Sequence, residues 1–382
     1  MDKAAIVGVG MTAIEKNKIR DGFADMAWEA VNLALGDAGM TIDDIDNVVT
    51  TSNDFWDGRT ISCMAVSDAS GARDKNVSCV EGDGTFGAFY GLTRVLSGSY
   101  GTTLVTAHSK GSESVSSLIT NAAFDPIYER AIGMDMISAC AMQASAYMHR
   151  TGTTAEQLAR VSVKNHANAR HNPLAQLPMD LSVEEVLGSE MICDPLHKLD
   201  CSPVSDGCCA LIIANEKRAK GTAKIPIWIK GTAFCADAYH LGDRDLSRAQ
   251  ALSQASQKAF SMAGITDPEA QVDVAELYDA FTYQELLWLE AMGLCAEGQA
   301  GRELEAGAFD IHGRLPVNPS GGLLSGHPVI AAGLIRMAEV VRQLRGEAGG
   351  AQVKDPSVGV AHGVNGLCGQ SHCVWILSNV HP

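Results

Sequence analysis

The stretch NPSGGLLSGHPVIAAG, residues 318 to 333, sets a histidine and a proline between a glycine-rich turn and a run that reads as a helix. A residue before proline is driven out of the helical region, so His327 is either a turn residue restrained by Pro328 or a base delivered to a fixed spot. Other reactive side chains sit in comparable settings. Cys79 opens CVEGDG with Gly82 three positions later, Tyr278 begins YDAF, and Cys368 follows His362, Asn365 and Gly366 in VAHGVNGLCGQSHC. A thiol becomes a nucleophile when a helix N-terminus and an imidazole lower its pKa. Glycine-rich backbone and histidines can hold a developing oxyanion, and a second acid/base can protonate a carbanion. Each group also has a plainer reading: a buried thiol, a tyrosine packed on a strand, or a polar turn.

The elements that must position these groups follow a repeat. VNLALGDAGMTIDDIDNVV (31 to 49) and SQKAFSMAGITDPEAQVDVAEL (256 to 277) both read as helix, Ala-Gly stop, acidic turn and strand. Gly39 and Gly264 stand where a helix ends in a left-handed cap. Each half then offers another strand, a glycine turn and a long helix, VSCVEGDGTFGAFYGLTRVLSG in the first and the His327 segment running into LIRMAEVVRQLRG in the second. Alternating strands and amphipathic helices imply largely parallel sheets covered by helices. The halves divide near AKGTAKIP (219 to 226), giving 1–222, with an insertion at about 110–200, and 223–382.

The bulk properties narrow the function. A net charge of -16 argues against general nucleic-acid binding, which needs a basic field. The longest apolar runs, such as CCALIIA (208 to 214), fall far short of a membrane span. The N-terminus reads as a first buried strand without the features of a signal peptide, so a cytoplasmic location is expected, with the eleven cysteines reduced. No Cys-x-x-Cys occurs, and no structural metal is expected.

The motifs KNHANARHNPLAQ (164 to 176), CSPVSDGCCA (201 to 210), ELYDAFTYQELLWLEAMGLCAEGQ (276 to 299), NPSGGLLSGHP (318 to 328) and RQLRGEAG (342 to 349) together resemble the thiolase superfamily, in particular the sterol carrier protein X type and its bacterial and archaeal relatives. The resemblance spans nearly the whole chain. It implies a five-layered α-β-α-β-α body of two βαβαβαββ halves, a homodimeric core, and acyl-CoA and CoA as substrates with no tightly bound cofactor. It further implies cleavage or Claisen formation of a β-keto acyl-CoA. Cys79 is then the expected nucleophile, His327 its activator, Cys368 the acid/base, and His362, Asn365 and Gly366 an oxyanion loop. Tyr278 stands where sterol carrier-like members have a histidine, and Ala280 where they have a cysteine. Counting back along the helix puts the nucleophile slot at Gly82 instead, and Glu81 and Asp83 would raise a neighbouring thiol's pKa. Asp83 is expected to cap the helix that begins near Thr85.

His166 and His171 are expected to pack or cap, Asp206 and Gly207 to turn into a buried strand, and Trp288 and Leu289 to lie in the core. The substituted motif points to an unusual acyl group, branched or aromatic, of which a benzoylsuccinyl-CoA is one example. Two other functions fit the same residues. A retro-aldolase acting on a β-hydroxyacyl-CoA needs a base and an enolate stabiliser but no cysteine, with Tyr278 and His327 as its players. A non-catalytic acyl-CoA or lipid scaffold needs only the cleft. Cysteine-poor members resemble proteins that work with a separate small subunit bearing a zinc ribbon and an OB fold.

Overall fold

A computed structural model describes residues 3–381. Labels below cover the nine strands of its main sheet and the seven helices of eleven residues or more.

Strand β1 (Ala4–Met11) is buried along its whole length. Ala4 and Ile6 point into the core at the centre of the molecule, while Ala5 and Val7 face helix α1 (Phe23–Ala38). A bulge between Ile6 and Gly8 then shifts the register. A one-residue slip exchanges the two faces of a strand, so Val9 and Met11 rejoin the central core and Gly8 and Gly10 meet α1. The helix lies so close there that a Cβ on Gly10 would overlap the Ala30 carbonyl oxygen.

The remaining strands are β2 (Asn47–Ser52), β3 (Asn76–Glu81), β4 (Thr102–Lys110), β5 (Asp206–Asn215), β6 (Ile227–Ala236), β7 (Val274–Glu276), β8 (Val358–Asn365) and β9 (Ser371–Ser378). Their order is β3-β2-β4-β5-β1-β6-β9-β8-β7. In the first half β1, β5 and β4 pair antiparallel, and β4, β2 and β3 pair parallel. The second half repeats this with β6, β9 and β8 antiparallel and β8 parallel to β7. Its counterpart of β3 has shrunk to one parallel bridge between Ala275 and Val317. The halves join edge to edge through β1 and β6, at Ala5 with Trp228 and Ile6 with Ile227.

Helices α2 (Gly84–Leu96) and α7 (Ala332–Arg345) pack on each other between the half-sheets, and α5 (Gln250–Ala263) covers β6 and β9 as α1 covers β1 and β5. The result is the five-layered α-β-α-β-α body. Gly39 and Gly264 both end their helices in the left-handed region, with φ of 65° and 71°. Because α7 lies in the middle layer, it is buried nearly all round, and its Arg336 forms an ion pair with Glu276 inside the protein. Residues 111–205 leave the first half between β4 and β5 and carry α3 (Met136–Thr151) and α4 (Ala155–Ala169); α6 (Thr282–Met292) follows β7. Asp206 begins β5 rather than making a turn, and its buried carboxylate accepts hydrogen bonds from Lys18 N, Ser112 N and Ser112 Oγ.

The tight β1–α1 contact gives a paired prediction. Gly10→Ala should destabilise the protein by about 2–3 kcal/mol, because backbone rather than a flexible side chain meets the new methyl group. Gly36→Ala, at a helical site with nothing near the added atom, should stabilise it by about 0.5–1 kcal/mol. Urea unfolding midpoints of the two variants should move in opposite directions.

Candidate active site

Asp83 accepts hydrogen bonds from Thr85 N at 2.9 Å through one oxygen and from Gly333 N at 2.7 Å through the other. It therefore caps α2, as its position before Thr85 requires, and also ties down the first turn of α7. Burial pushes its carboxyl up to about 6 against the pull of these hydrogen bonds. Where α2 and α7 begin together, a cavity of about 430 Å³ opens. Asp83, Tyr278, His327, Asn365, Gly366 and Cys368 all belong to its wall.

Two chain segments deliver the central pair. Tyr278 follows β7 and is pinned by its own backbone: its N–H points at His362 Nδ1 at 3.4 Å and its carbonyl accepts from Trp288 Nε1 at 2.8 Å. His327 is held by its N–H, which donates to Ser205 Oγ at 2.8 Å, and by a parallel bridge to Val204. The Tyr278 hydroxyl and His327 Nε2 are 2.8 Å apart, the rings meeting edge to face. On the far side of the imidazole, Nδ1 lies 2.8 Å from Ser202 Oγ. Ser202 also donates its N–H to Ala280 O, so residues 201–205 tie the Tyr278 arm to the His327 arm.

Burial holds both partners neutral. It pushes the Tyr278 phenol well above its usual range, with the Asp83 charge adding to the effect. It pushes His327 down to about 3, with Arg336 as a second cause. With Ser202 the two form a hydroxyl–imidazole–hydroxyl relay, Tyr278 to His327 to Ser202, that can pass a proton without a standing charge.

The expected nucleophile is elsewhere. Cys79 lies on edge strand β3, exposed, with its Sγ 3.3 Å from Ser52 Oγ, and is absent from the cavity wall. In β3 it shares a face with Val77 and Glu81, away from half-buried Ser78 and Val80. The slot before α2 belongs to Gly82, whose φ is 111°. A Cβ there would fall 2.5 Å from Asn365 Nδ2, so the side chain of Asn365 fills the space a nucleophile would need.

The oxyanion expectation is divided in the same way. Asn365 and Gly366 line the cavity, but His362 does not. It is buried within β8, stacked on His372 with Nε2 2.9 Å from His372 Nδ1. Burial pushes both imidazoles down, His372 to about 3, so they act as a neutral structural pair behind the Tyr278 amide. Cys368 reaches the wall with a φ of 47°, its carbonyl held by Gln143 and Arg244 and its Sγ 3.6 Å from that of Cys140. His166 is buried and bonded to Leu177 O, and Trp288 and Leu289 lie in the core. Ser202 and Ser205 are the partners of His327 that sequence spacing missed. Both stand in the quoted CSPVSDG motif, yet nothing local links them to a histidine more than a hundred residues away.

Fold and site together define a protein of duplicated α/β halves with a phenol–imidazole pair on the wall of a cavity where the middle-layer helices begin. Comparison with known proteins gives the family. Residues 233–379 match the thiolase C-terminal domain-like family model. An acetyl-CoA acetyltransferase of Methanothermobacter thermautotrophicus is 37% identical over 379 residues, covering 97% of this chain and 98% of that protein. The benzoylsuccinyl-CoA thiolase subunit BbsB of Thauera aromatica is 36% identical over 239 residues, 62% of each chain. A solved structure described as the Ltp2-ChsH2(DUF35) aldolase matches with a TM-score of 0.85 at 28% identity, covering 98% of this chain and 97% of that one. The chain belongs to the thiolase superfamily and is an enzyme of this acyltransferase family with a thiolase-like acyl-CoA function. Among the described residues no helix is long and apolar enough to cross a membrane.

The desolvation of His327 has a consequence for stability. An unfolded histidine titrates near 6.5, whereas native His327 stays neutral down to about 3. Between those values the unfolded chain binds the extra proton, so stability falls as the pH is lowered. His327→Gln removes that contribution. Wild type should lose about 1–2 kcal/mol more than the variant between pH 7 and pH 5, read from denaturant unfolding at each pH.

Proposed function

We propose that this thiolase-family enzyme performs a retro-aldol cleavage of a 3-hydroxyacyl-CoA, releasing a ketone or aldehyde and a shortened acyl-CoA. The observation that carries the reading is the 2.8 Å contact between the Tyr278 hydroxyl and His327 Nε2 on the cavity wall, in a chain whose nucleophile slot is filled by Gly82 and Asn365.

In this reaction the Tyr278 oxygen takes the proton of the substrate's 3-hydroxyl while its own proton moves to His327 Nε2. The C2–C3 bond breaks, the hydroxyl carbon becomes a carbonyl, and the bond's electrons pass to the thioester oxygen as an enolate. The Asn365 amide is the donor assigned to that oxygen. The proton held by the relay returns to C2, so hydrogens balance without a co-reactant. No acyl-enzyme forms, which agrees with Cys79 lying off the cavity. Free CoA is therefore neither an acyl acceptor nor a product, because the CoA portion leaves as the thioester of the shortened acyl group.

A second reading keeps acyl transfer to CoA, with Cys368 as the acid/base. It is favoured by the presence of Cys368 on the wall and by the full-length similarity to an acetyl-CoA acetyltransferase. The subunit name of the Thauera relative and the DUF35 component of the aldolase structure support a heteromeric assembly, in which a separate small zinc-ribbon and OB-fold subunit joins a homodimer of this chain. The Thauera relative also supports aromatic acyl groups as candidate substrates.

The test is product analysis by mass spectrometry, with and without any small subunit that copurifies. A branched 3-hydroxyacyl-CoA should yield a carbonyl compound without added CoA. Tyr278→Phe should lower kcat/KM by about a thousandfold, and Cys79→Ser should change it less than about twofold. CoA-dependent cleavage of a 3-ketoacyl-CoA, with the hydroxy substrate left intact, would establish acyl transfer and reject the aldol reading.

A further inference from the structure

We infer that Gln284 is a specificity-determining residue whose side-chain oxygen accepts a hydrogen bond from a hydroxyl group on the acyl part of the substrate other than the 3-hydroxyl that faces Tyr278. This rests on the acyl-CoA reading above but not on which bond is broken.

Gln284 lies in the first turn of α6, is only 3% exposed, and belongs to the cavity wall. The hydrogen bonds behind it run in one direction. They begin at the Cys368 carbonyl, which can only accept, and which takes Gln143 Nε2 at 3.3 Å. With its amine so placed, Gln143 turns Oε1 to the Tyr283 hydroxyl, which donates at 2.8 Å. That uses the one proton of the phenol, so Tyr283 can only accept from Gln284 Nε2, at 3.4 Å. The amide of Gln284 is thereby oriented from behind, with Oε1 as the free end of the chain.

Among the described residues Gln284 is the one wall side chain with a buried oxygen that has no hydrogen-bond partner. An acceptor stripped of water and left unpaired is costly, and a ligand that supplies a donor recovers that loss. An analogue without the donor does not, which is how a site built around a hydrogen bond discriminates. The position favours the acyl group as the source of the donor. Gln284 Nε2 is 4.0 Å from Cys140 Sγ, which touches Cys368 Sγ, so this amide belongs to the part of the wall beside the 366–369 loop. An amide N–H of pantetheine has the same chemistry, and the experiment separates the two.

Calorimetry would measure binding of 4-hydroxybutyryl-CoA, whose hydroxyl is not the one that faces Tyr278, and of butyryl-CoA and CoA. All measurements are made in a Tyr278→Phe background, where the phenol hydroxyl cannot contribute and no bond is cleaved. The protein with Gln284 should bind the hydroxy ligand about tenfold more tightly than butyryl-CoA. Adding Gln284→Met, which keeps the side chain's length, should reduce the difference to less than about twofold. Adding Tyr283→Phe instead, which frees the amide to turn, should erase most of it, and this variant decides the matter if the first fails to fold. Three results overturn the inference: no preference with Gln284 present, a preference that survives both changes, or equal weakening of all three ligands by Gln284→Met, which assigns the oxygen to pantetheine. Failure of the aldol reading appears separately, as absence of carbonyl product in the wild type.

Discussion

The active-site pair depends on a buried polar knot beneath it. Lys164 and Glu285 form an ion pair at 3.1 Å, almost wholly out of water. Glu285 also accepts from Asn165 Nδ2 and Asn318 Nδ2, each at 2.8 Å. Asn165 donates as well to Asp279, the neighbour of Tyr278, and Asn318 Oδ1 accepts from Leu277 N, its other neighbour. Burying such charges brings no assured gain in stability, but once buried each must keep its partners, since breaking a buried pair costs about 3–5 kcal/mol. The knot therefore fixes the backbone on both sides of Tyr278.

The same knot explains why motifs scattered along the chain occur together. KNHANAR brings Lys164, Asn165 and Asn168 on α4; YDAFTYQE brings Asp279 and Glu285; NPSGG brings Asn318 and the turn leading to His327. Gly322, at φ 63°, lets the backbone pass against the Asp279 carboxylate, where a Cβ would collide, and Leu323 N donates to that carboxylate at 2.6 Å. Burial raises Asp279 to about 7, with the charge of Glu285 contributing. The phenol and the imidazole are thus placed by groups that do no chemistry themselves.

Much of the scaffold was legible because its causes are local. A glycine ending a helix, an aspartate before a helix and a repeated helix–turn–strand pattern each act within a few residues, and Gly39, Gly264 and Asp83 all perform as their neighbours require. Two site expectations failed at a level that strand periodicity could have reached. His362 is in step with Val360 and Val364 along β8, which marks an inward-facing residue, and Cys79 is in step with Glu81 along β3. What no local pattern carries is contact between distant segments: Ser202 against His327, Gly333 against Asp83, and Asn365 against Gly82.

That last contact bears most directly on how this chain uses its inherited scaffold. A nucleophile needs a side chain at the N-terminus of α2, and here the backbone conformation of Gly82 disfavours any side chain while Asn365 occupies the volume. The two features reinforce each other: restoring a cysteine would require both a strained φ and the removal of the amide. Asp83, two residues before Thr85, adds an acidic group where a thiolate would need positive potential. Of the reactive groups on the wall, which also include Cys201 and Cys368, the phenol and the imidazole are both held neutral by burial and share one hydrogen bond. A pair of that kind can lend and recover a proton, which is the capability on which the proposed aldol cleavage draws.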